Sequence, residues 1–361
     1  MQRGMDSIKE FVRMSKYAGE RFDLVQAGGG NSSVKSDGGK MYIKASGFSL
    51  SEVEHDRGFS ILDNNVVLAM LDYLETNEIK GKRDRERFAK EEVESALLSP
   101  SARPSIETAL HALLPKYVLH THPIAVNAVV CSENWEKILK SLFPKCVLVS
   151  YATPGVDLSL LLRSAIRENA FFQDAEAKAI FLQNHGLIVA AEKCQDVIDA
   201  NEHILEVLEN YLDCDLSRYK STSKISKFFN DITGETQVAY CVSDSEIYES
   251  YQEDPEIFES KVFCPDAFIY CGLYPLRIEN FNDRTPVDLY YDEIHEFPKA
   301  CMYEDEIFII ANNIRKAKES EDVLKAHCKI LSLRRSPIRD LPKEELLYLG
   351  KWEAEKFRRN I

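Results

Sequence analysis

Between residues 116 and 212, short apolar runs of strand length alternate with longer segments of helical period. This alternation limits the possible folds more than any other feature of the chain. KYVLHTHP reads as a strand ended by proline, and AVNAVVCSENWEKILKSLF as mostly helical. KCVLVSYATPG is a second strand and DLSLLLRSAIRE a helix. AIFLQNHGLIVAAE gives strand, tight His-Gly turn and strand. A helix from about Cys194 to Leu212 follows, with Val197, Ile198, Ile204, Leu205 and Leu208 at its apolar positions. Strands and helices in alternation place the chain in the α/β or α+β class.

Upstream, residues 6–17 carry Ile8, Phe11, Val12 and Met14 at near-helical spacing. AGGGNSSVK and the alternating MYIKAS suggest a glycine-rich turn between strands. PSIETALHALLP predicts a helix with Ser105 at its N-cap and Ile106, Ala109, Leu110, Leu113 and Leu114 on one apolar face. Downstream, the polar stretch SRYKSTSKISK at 217–227 reads as a linker. The expected domains are therefore 1–223 and 224–361. Part of the pattern recurs in the second: EDEIFIIANNIRKAKESEDVLKAHCKIL repeats the strand and long helix of QNHGLIVAAEKCQDVIDANEHILEVLEN. PDAFIYCGLYPL has the strand-then-proline rhythm of KYVLHTHPIAV, but no histidine pair follows Phe268 and Ile269, and Asp305 stands near the place of His185. The expectation is a degenerate partial repeat without metal ligands.

Bulk composition narrows the partners. A chain of 361 residues suggests two domains with ample core. A net charge of −14, from 59 acids against 45 bases and with no basic stripe, argues against nucleic acid. No run approaches the roughly 20 apolar residues of a membrane span, and no signal-type apolar segment opens the chain. Nine cysteines scattered singly, without CxxC, read as reduced and mostly buried thiols of a cytoplasmic protein.

The chemistry gathers around histidine. His120 and His122 are two apart in a predicted strand, so both rings point to one face. His185, in the turn before Gly186, supplies a third imidazole. Three protein ligands with an open position is the catalytic arrangement for zinc, and imidazole favours Zn2+ or another divalent transition metal over magnesium or calcium. A bare HxH is more often a pair of unrelated histidines; it is the surrounding constellation that gives it weight. Glu107, in the first turn of the predicted Ser105 helix, either complements the helix dipole or moves a substrate proton beside a metal. His111, four residues on, reads as a structural or supporting histidine. Gly30, with Asn31 and Ser32, suggests close backbone approach to a ligand, with a plain hairpin turn as the competing reading. The Ser46-Gly47 turn and the N–H groups at the start of the Ser105 helix would add further anion contacts, with Lys35 and Lys44 the nearest cations.

At this point the chain resembles the class II aldolase and adducin family. GGGNSSVK, KASGFSL, PSIETALHALLP, VLHTHP, YATPGVDL and FLQNHGLIVA occur in that order over roughly residues 20–210. Within the family it is most similar to the aldolase part of bifunctional rhamnulose-1-phosphate aldolase/alcohol dehydrogenases, a likeness that PDAFIYCGLYPLRI, FPKACMYEDEIFIIANN and YLGKWEAEKF share loosely. The resemblance implies an α/β/α sandwich with a central, mainly antiparallel sheet, and a homo-oligomer, usually a cyclic tetramer. It implies zinc on His120, His122 and His185, Glu107 as acid/base, and a substrate phosphate held by Asn31, Ser46, Gly47 and Ser105. Tyr151 matches a tyrosine that donates a proton from a neighbouring subunit. The implied reaction is cleavage of a ketose 1-phosphate to dihydroxyacetone phosphate and an aldehyde. A dehydratase, an epimerase or a non-catalytic adducin-like module are the alternatives on this fold. Ile106 stands where the fuculose type has a second phosphate-binding serine, which weakens the phosphate reading. No dehydrogenase-like segment follows before Ile361, so the chain is not expected to be the complete bifunctional enzyme.

Overall fold

The computed structural model describes residues 2–351 apart from 78, 100–101, 173–175, 236 and 259–261. It divides into two compact units, Met1–Leu216 and Ser217–Ile361. No helix among the described residues is long and apolar enough to cross a membrane.

The first unit begins with helix α1 (Gln2–Gly19), strands β1 (Asn31–Lys35), β2 (Lys40–Lys44) and β3 (Phe59–Asp63), and helices α2 (Asn64–Thr76), α3 (Lys82–Ser95) and α4 (Thr108–Ala112). It continues through β4 (Tyr117–Thr121), α5 (Ile124–Val130), α6 (Trp135–Leu142), β5 (Val147–Val149) and α7 (Val156–Glu168). The closing motif is β6 (Ala177–Leu182), β7 (Gly186–Ala191) and α8 (Cys194–Leu212). The strands form one seven-stranded sheet in the order β3-β2-β1-β4-β7-β6-β5. Every neighbouring pair is antiparallel except β5 with β6.

Strand alternation divides the core between two faces. Leu119, Leu187 and Val189 pack with Phe11, Met14, Trp135 and Leu205 from α1, α6 and α8. Val118, Ile188 and Ile180 pack with Leu110 and Leu162 from α4 and α7. The result is the α/β/α sandwich that the motif order implied. Leu205 and Leu208 are fully buried on α8, each worth about 1.5–3 kcal/mol of transfer free energy.

The second unit starts with α9 (Ser217–Thr233), β8 (Val238–Cys241), α10 (Ser245–Glu253), α11 (Pro265–Cys271) and β9 (Leu276–Arg277). It ends with α12 (Thr285–Ile294), β10 (Ala300–Tyr303), β11 (Glu306–Ala311), α13 (Ile314–Leu333) and α14 (Lys343–Lys351). The segment expected as a linker is therefore helix α9, with Ser221, Thr222, Ile225 and Ser226 buried on it. An expected boundary at 223/224 would fall inside that helix. PDAFIYC is helical rather than extended: Pro265 opens α11 with a φ suited to a first turn, and Gly272 closes it at φ 79°. The first four residues of YLGKWEAEKF close α14 at Lys351, and the rest lie outside the described residues.

The second sheet runs β8-β11-β10-β9, antiparallel except for β9 with β10. This repeats the order and directions of β4-β7-β6-β5 in the first unit. Matched by first residues, Gly186 of β7 falls on Glu306 of β11, and Cys194 of α8 on Ile314 of α13. Register carries the match further: His120 faces Ile188, the third residue of β7, while Cys241 faces Phe308, the third residue of β11. The counterpart of the histidine strand is thus β8, not the stretch around Phe268. Arg218 occupies the corresponding end. It donates to Cys241 Sγ at 3.4 Å, Val242 O at 3.0 Å and Tyr248 Oη at 3.0 Å, and pairs with Glu306 Oε2 at 2.9 Å.

Candidate metal centre

Strand pairing builds this site. His120 shares a face of β4 with Val118, the face covered by α4, so its ring is directed to the side that carries Glu107. Its Nδ1–H donates to Leu187 O at 2.9 Å, which turns Nε2 to the interior. His122 follows the strand, and its backbone N–H donates to Leu24 O at 2.9 Å. His185 sits in the β6–β7 turn, after Asn184 in the left-handed region at φ 53°. The Nε2 of His120 lies 3.2 Å from those of both His185 and His122. The ligand atoms of the three residues lie within 4.8 Å of one another. Glu107 Oε1 is 3.4 Å from the Nε2 atoms of His120 and His185.

Two glycines make this convergence possible. A Cβ on Gly186 would stand 2.3 Å from Thr121 O, and one on Gly29 would stand 2.9 Å from His122 Nδ1. Gly30, at φ 74°, would meet His120 O at 2.9 Å. The triple glycine thus gives close approach to the histidine strand itself.

The donor set fits a divalent transition cation. Burial, followed by the neighbouring histidines, pulls His122 down to about 3 and His185 to about 4, so both rings are neutral donors at physiological pH. Burial pushes His120 down too, but the Glu107 carboxylate outweighs it and raises the group above its ordinary value. Glu107 is the mirror case: burial raises it, and His120, His185 and His111 together bring it well below the usual carboxylate range. Three inward imidazole nitrogens cannot all present lone pairs at 3.2 Å without a proton or a cation between them.

The other expected residues are placed unevenly. Asn31 is buried opposite His120 in the β1–β4 pairing, and its Nδ2 donates to Ser105 Oγ at 2.5 Å. Ser46 and Gly47 are exposed on a loop whose Ser46 N–H donates to Arg103 O at 2.9 Å. Lys44 is buried and donates to Phe48 O and Gly28 O, tying that loop to the glycine loop. Lys35 turns away to His111 O and Pro115 O.

Three expectations need correction. Ser32 is fully buried with its hydroxyl on Ser15 Oγ at 2.7 Å, so it does not face the site. Ser105 is not an N-cap: α4 begins at Thr108, and Glu107 itself holds the cap position. The N–H groups of Glu107 and Thr108 go to Ser105 Oγ and Ser105 O, so they are not open to an anion. Ile106 is 65% exposed rather than on the apolar face. Tyr151 is exposed next to the His185 turn, its N–H on Gln183 Oε1 at 3.0 Å, and its hydroxyl has no partner among the described residues.

His111 is a residue whose setting the sequence did not show. It is fully buried, with Nδ1 at 2.7 Å from Ser33 Oγ and Nε2 without a partner among the described residues. Its spacing from Glu107 was the available signal.

Residues 9–212 match the class II aldolase and adducin N-terminal domain. The chain belongs to this family. A Bacillus subtilis relative, the uncharacterized oxidoreductase YuxG, is 27% identical over 228 residues, which are 59% of this chain and 30% of that protein. The chain thus spans under a third of that relative. The N-terminal class II aldolase domain of a conserved Thermoplasma acidophilum protein is 26% identical, with 57% of this chain and 93% of that one covered at a TM-score of 0.48. A Thermotoga maritima sugar-phosphate aldolase is 17% identical, with 58% and 95% covered at a TM-score of 0.41. Class II aldolases depend on divalent metals, and the histidine cluster could hold such an ion.

Proposed function

We propose that this family member is a zinc-dependent lyase that cleaves a ketose 1-phosphate or a similar sugar phosphate to dihydroxyacetone phosphate and an aldehyde. The observation that carries the reading is the convergence of His120, His122 and His185 on one point, with the Glu107 carboxylate 3.4 Å from two of them. His120, His122 and His185 would hold the ion. Bound there, it supplies Lewis-acid stabilisation of the negative charge that develops as the carbon–carbon bond breaks.

The protein's own groups supply the rest. The bond between C3 and C4 breaks as the C4 hydroxyl passes its proton to the Glu107 carboxylate and the electron pair passes to the ketone side, releasing the aldehyde. Glu107 delivers a proton to C3, and dihydroxyacetone phosphate leaves. Asn31, Ser46, Gly47 and Ser105, with Gly30 shaping the loop, hold the phosphate. Ser105 Oγ already accepts from Asn31 Nδ2 and Glu107 N–H, so its own proton is free to donate outward. Tyr151, exposed beside the His185 turn, serves as proton donor to a neighbouring subunit's site in a homo-oligomer, a tetramer by family likeness.

The match to 30% of the length of a longer oxidoreductase, at 27% identity, supports likeness to the aldolase part of the bifunctional rhamnulose-1-phosphate enzymes. The second unit is read as a degenerate copy of the β4–α8 segment without metal ligands. Nine free thiols, most of them buried or half-buried, support a cytoplasmic setting. The test is metal analysis joined to a screen of ketose 1-phosphates for aldehyde release. A metal-loaded protein that releases no aldehyde from any of them would reject the lyase reading.

A further inference from the structure

The second unit contains a cavity of about 520 Å³, within the usual size of small-molecule sites. It opens where β11 ends at Ile310–Asn312, beside the start of α13, the end of α11 and the connection from α12 to β10. This is the opposite end of the sheet from Arg218 and Glu306. The connection turns on His295, the C-cap of α12, held in the left-handed region at φ 57°. The turn brings His295 and Phe297 into the wall.

The wall's chemistry selects a ligand class. Tyr291 and Phe297 lie 4.8 Å apart as a tilted aromatic pair, and Tyr270 adds a third ring. The two lysines of the wall are already engaged. Lys299 Nζ donates to Phe268 O and Ile269 O and pairs with Glu296 at 3.1 Å; Lys316 Nζ pairs with Glu319 at 2.9 Å. An anion would therefore meet cations whose charge is compensated. What remains is neutral: the side chains of Gln237, Tyr270, Tyr291 and Asn312 have no hydrogen-bond partner among the described residues. Glu235 stands exposed at the rim, an acceptor with two oxygens suited to neighbouring hydroxyls. Apolar ring faces with uncharged amides, phenols and one carboxylate match a molecule with C–H faces and many hydroxyls.

We infer that this cavity binds an uncharged sugar or polyol of monosaccharide size. The site shares no lining residue with the metal centre and does not depend on the proposed lyase reaction. The test uses the full chain after chelation, titrated by calorimetry and saturation-transfer NMR with neutral hexoses, 6-deoxyhexoses and alditols, and with their phosphates in parallel. The expected result is saturable binding of at least one neutral sugar. Affinity should fall by about tenfold or more in Gln237→Ala and Tyr291→Ala, the scale of one lost hydrogen bond or ring contact, with unchanged melting temperature. His120→Ala should bind the sugar normally. No saturable binding of any neutral sugar, preference for the phosphates, or full affinity in both cavity variants would each overturn the inference.

Discussion

His120 and His185 are 65 positions apart in the chain, yet their Nε2 atoms stand 3.2 Å from each other. The pairing of β4 with β7 sets this separation, because the strand that receives the His120 Nδ1–H at Leu187 is the one that the His185 turn leads into. Each ring therefore depends on the other's strand. His120→Ala and His185→Ala are each expected to lose the ion, about one per chain in the wild type. Plasma emission analysis of dialysed protein checks this; full occupancy in both variants would remove these histidines from the ligand set.

Glu107→Gln separates proton transfer from metal retention. The amide keeps the shape of the side chain at the α4 cap but has no exchangeable acid proton. Turnover on the screened substrate should drop by about 100-fold or more with metal content retained. A loss confined to a few tenths of a kcal/mol of stability, with near wild-type turnover, would leave Glu107 a cap residue only.

Metal uptake should release protons. His120 is raised above its ordinary 6.5 by Glu107, so in the metal-free protein it holds a proton that a cation must displace. The His120 contribution to stability is present below 6.5 and lost as pH rises through its raised folded value. That of Glu107, depressed from 4.5, is present above 4.5 and lost as pH falls through its folded value. The pair is thus fully formed between 4.5 and 6.5, and metal affinity climbs with pH until the folded value of His120 is passed, where no proton is left to displace. Calorimetry in buffers of different ionisation enthalpy should show about one proton released per ion bound near pH 6; no release would mean that His120 is neutral before binding.

Gly186→Ala should be among the most damaging single methyl additions to the first unit. Its Cβ would sit 2.3 Å from Thr121 O, the last residue of β4, and 3.0 Å from His122 Cδ2 just beyond it. Relief requires β4 and β7 to part, at a cost of about 1–3 kcal/mol. Melting temperature and metal affinity should fall together, whereas Gly38→Ala, whose added carbon meets nothing within 4 Å, should spare the metal.

Periodicity made the first unit legible in particular places. α8 runs from Cys194 to Leu212 as its apolar spacing indicates, and His120 points as strand alternation requires, whereas His122 stands just past the end of β4. The misreadings have physical causes. Helix α9 buries Ser221, Thr222 and Ser226, and Ser226 Oγ accepts the Ala239 N–H at 2.7 Å, so polarity marked a packed surface rather than a linker. PDAFIYC is a short apolar run whose period does not distinguish strand from helix. Ser105 serves a turn, and Ser32 a buried hydroxyl pair with Ser15; both depend on tertiary neighbours that local spacing does not encode. The meeting of His185 with the other two histidines is expected from the residues, but the β4–β7 pairing that brings it about is not encoded in local spacing.

Arg218 gives the second unit a cation that no chelator can withdraw. Its guanidinium is covalently part of the chain and holds the ends of β8 and β11 through Val242 O and Glu306. At the matching place the first unit gathers three imidazoles that a soluble ion fits. The two halves of one polypeptide therefore answer to different solution variables. With an ion bound as proposed, free metal activity would govern the strand ends in one, while in the other they are set at translation and would persist through metal starvation.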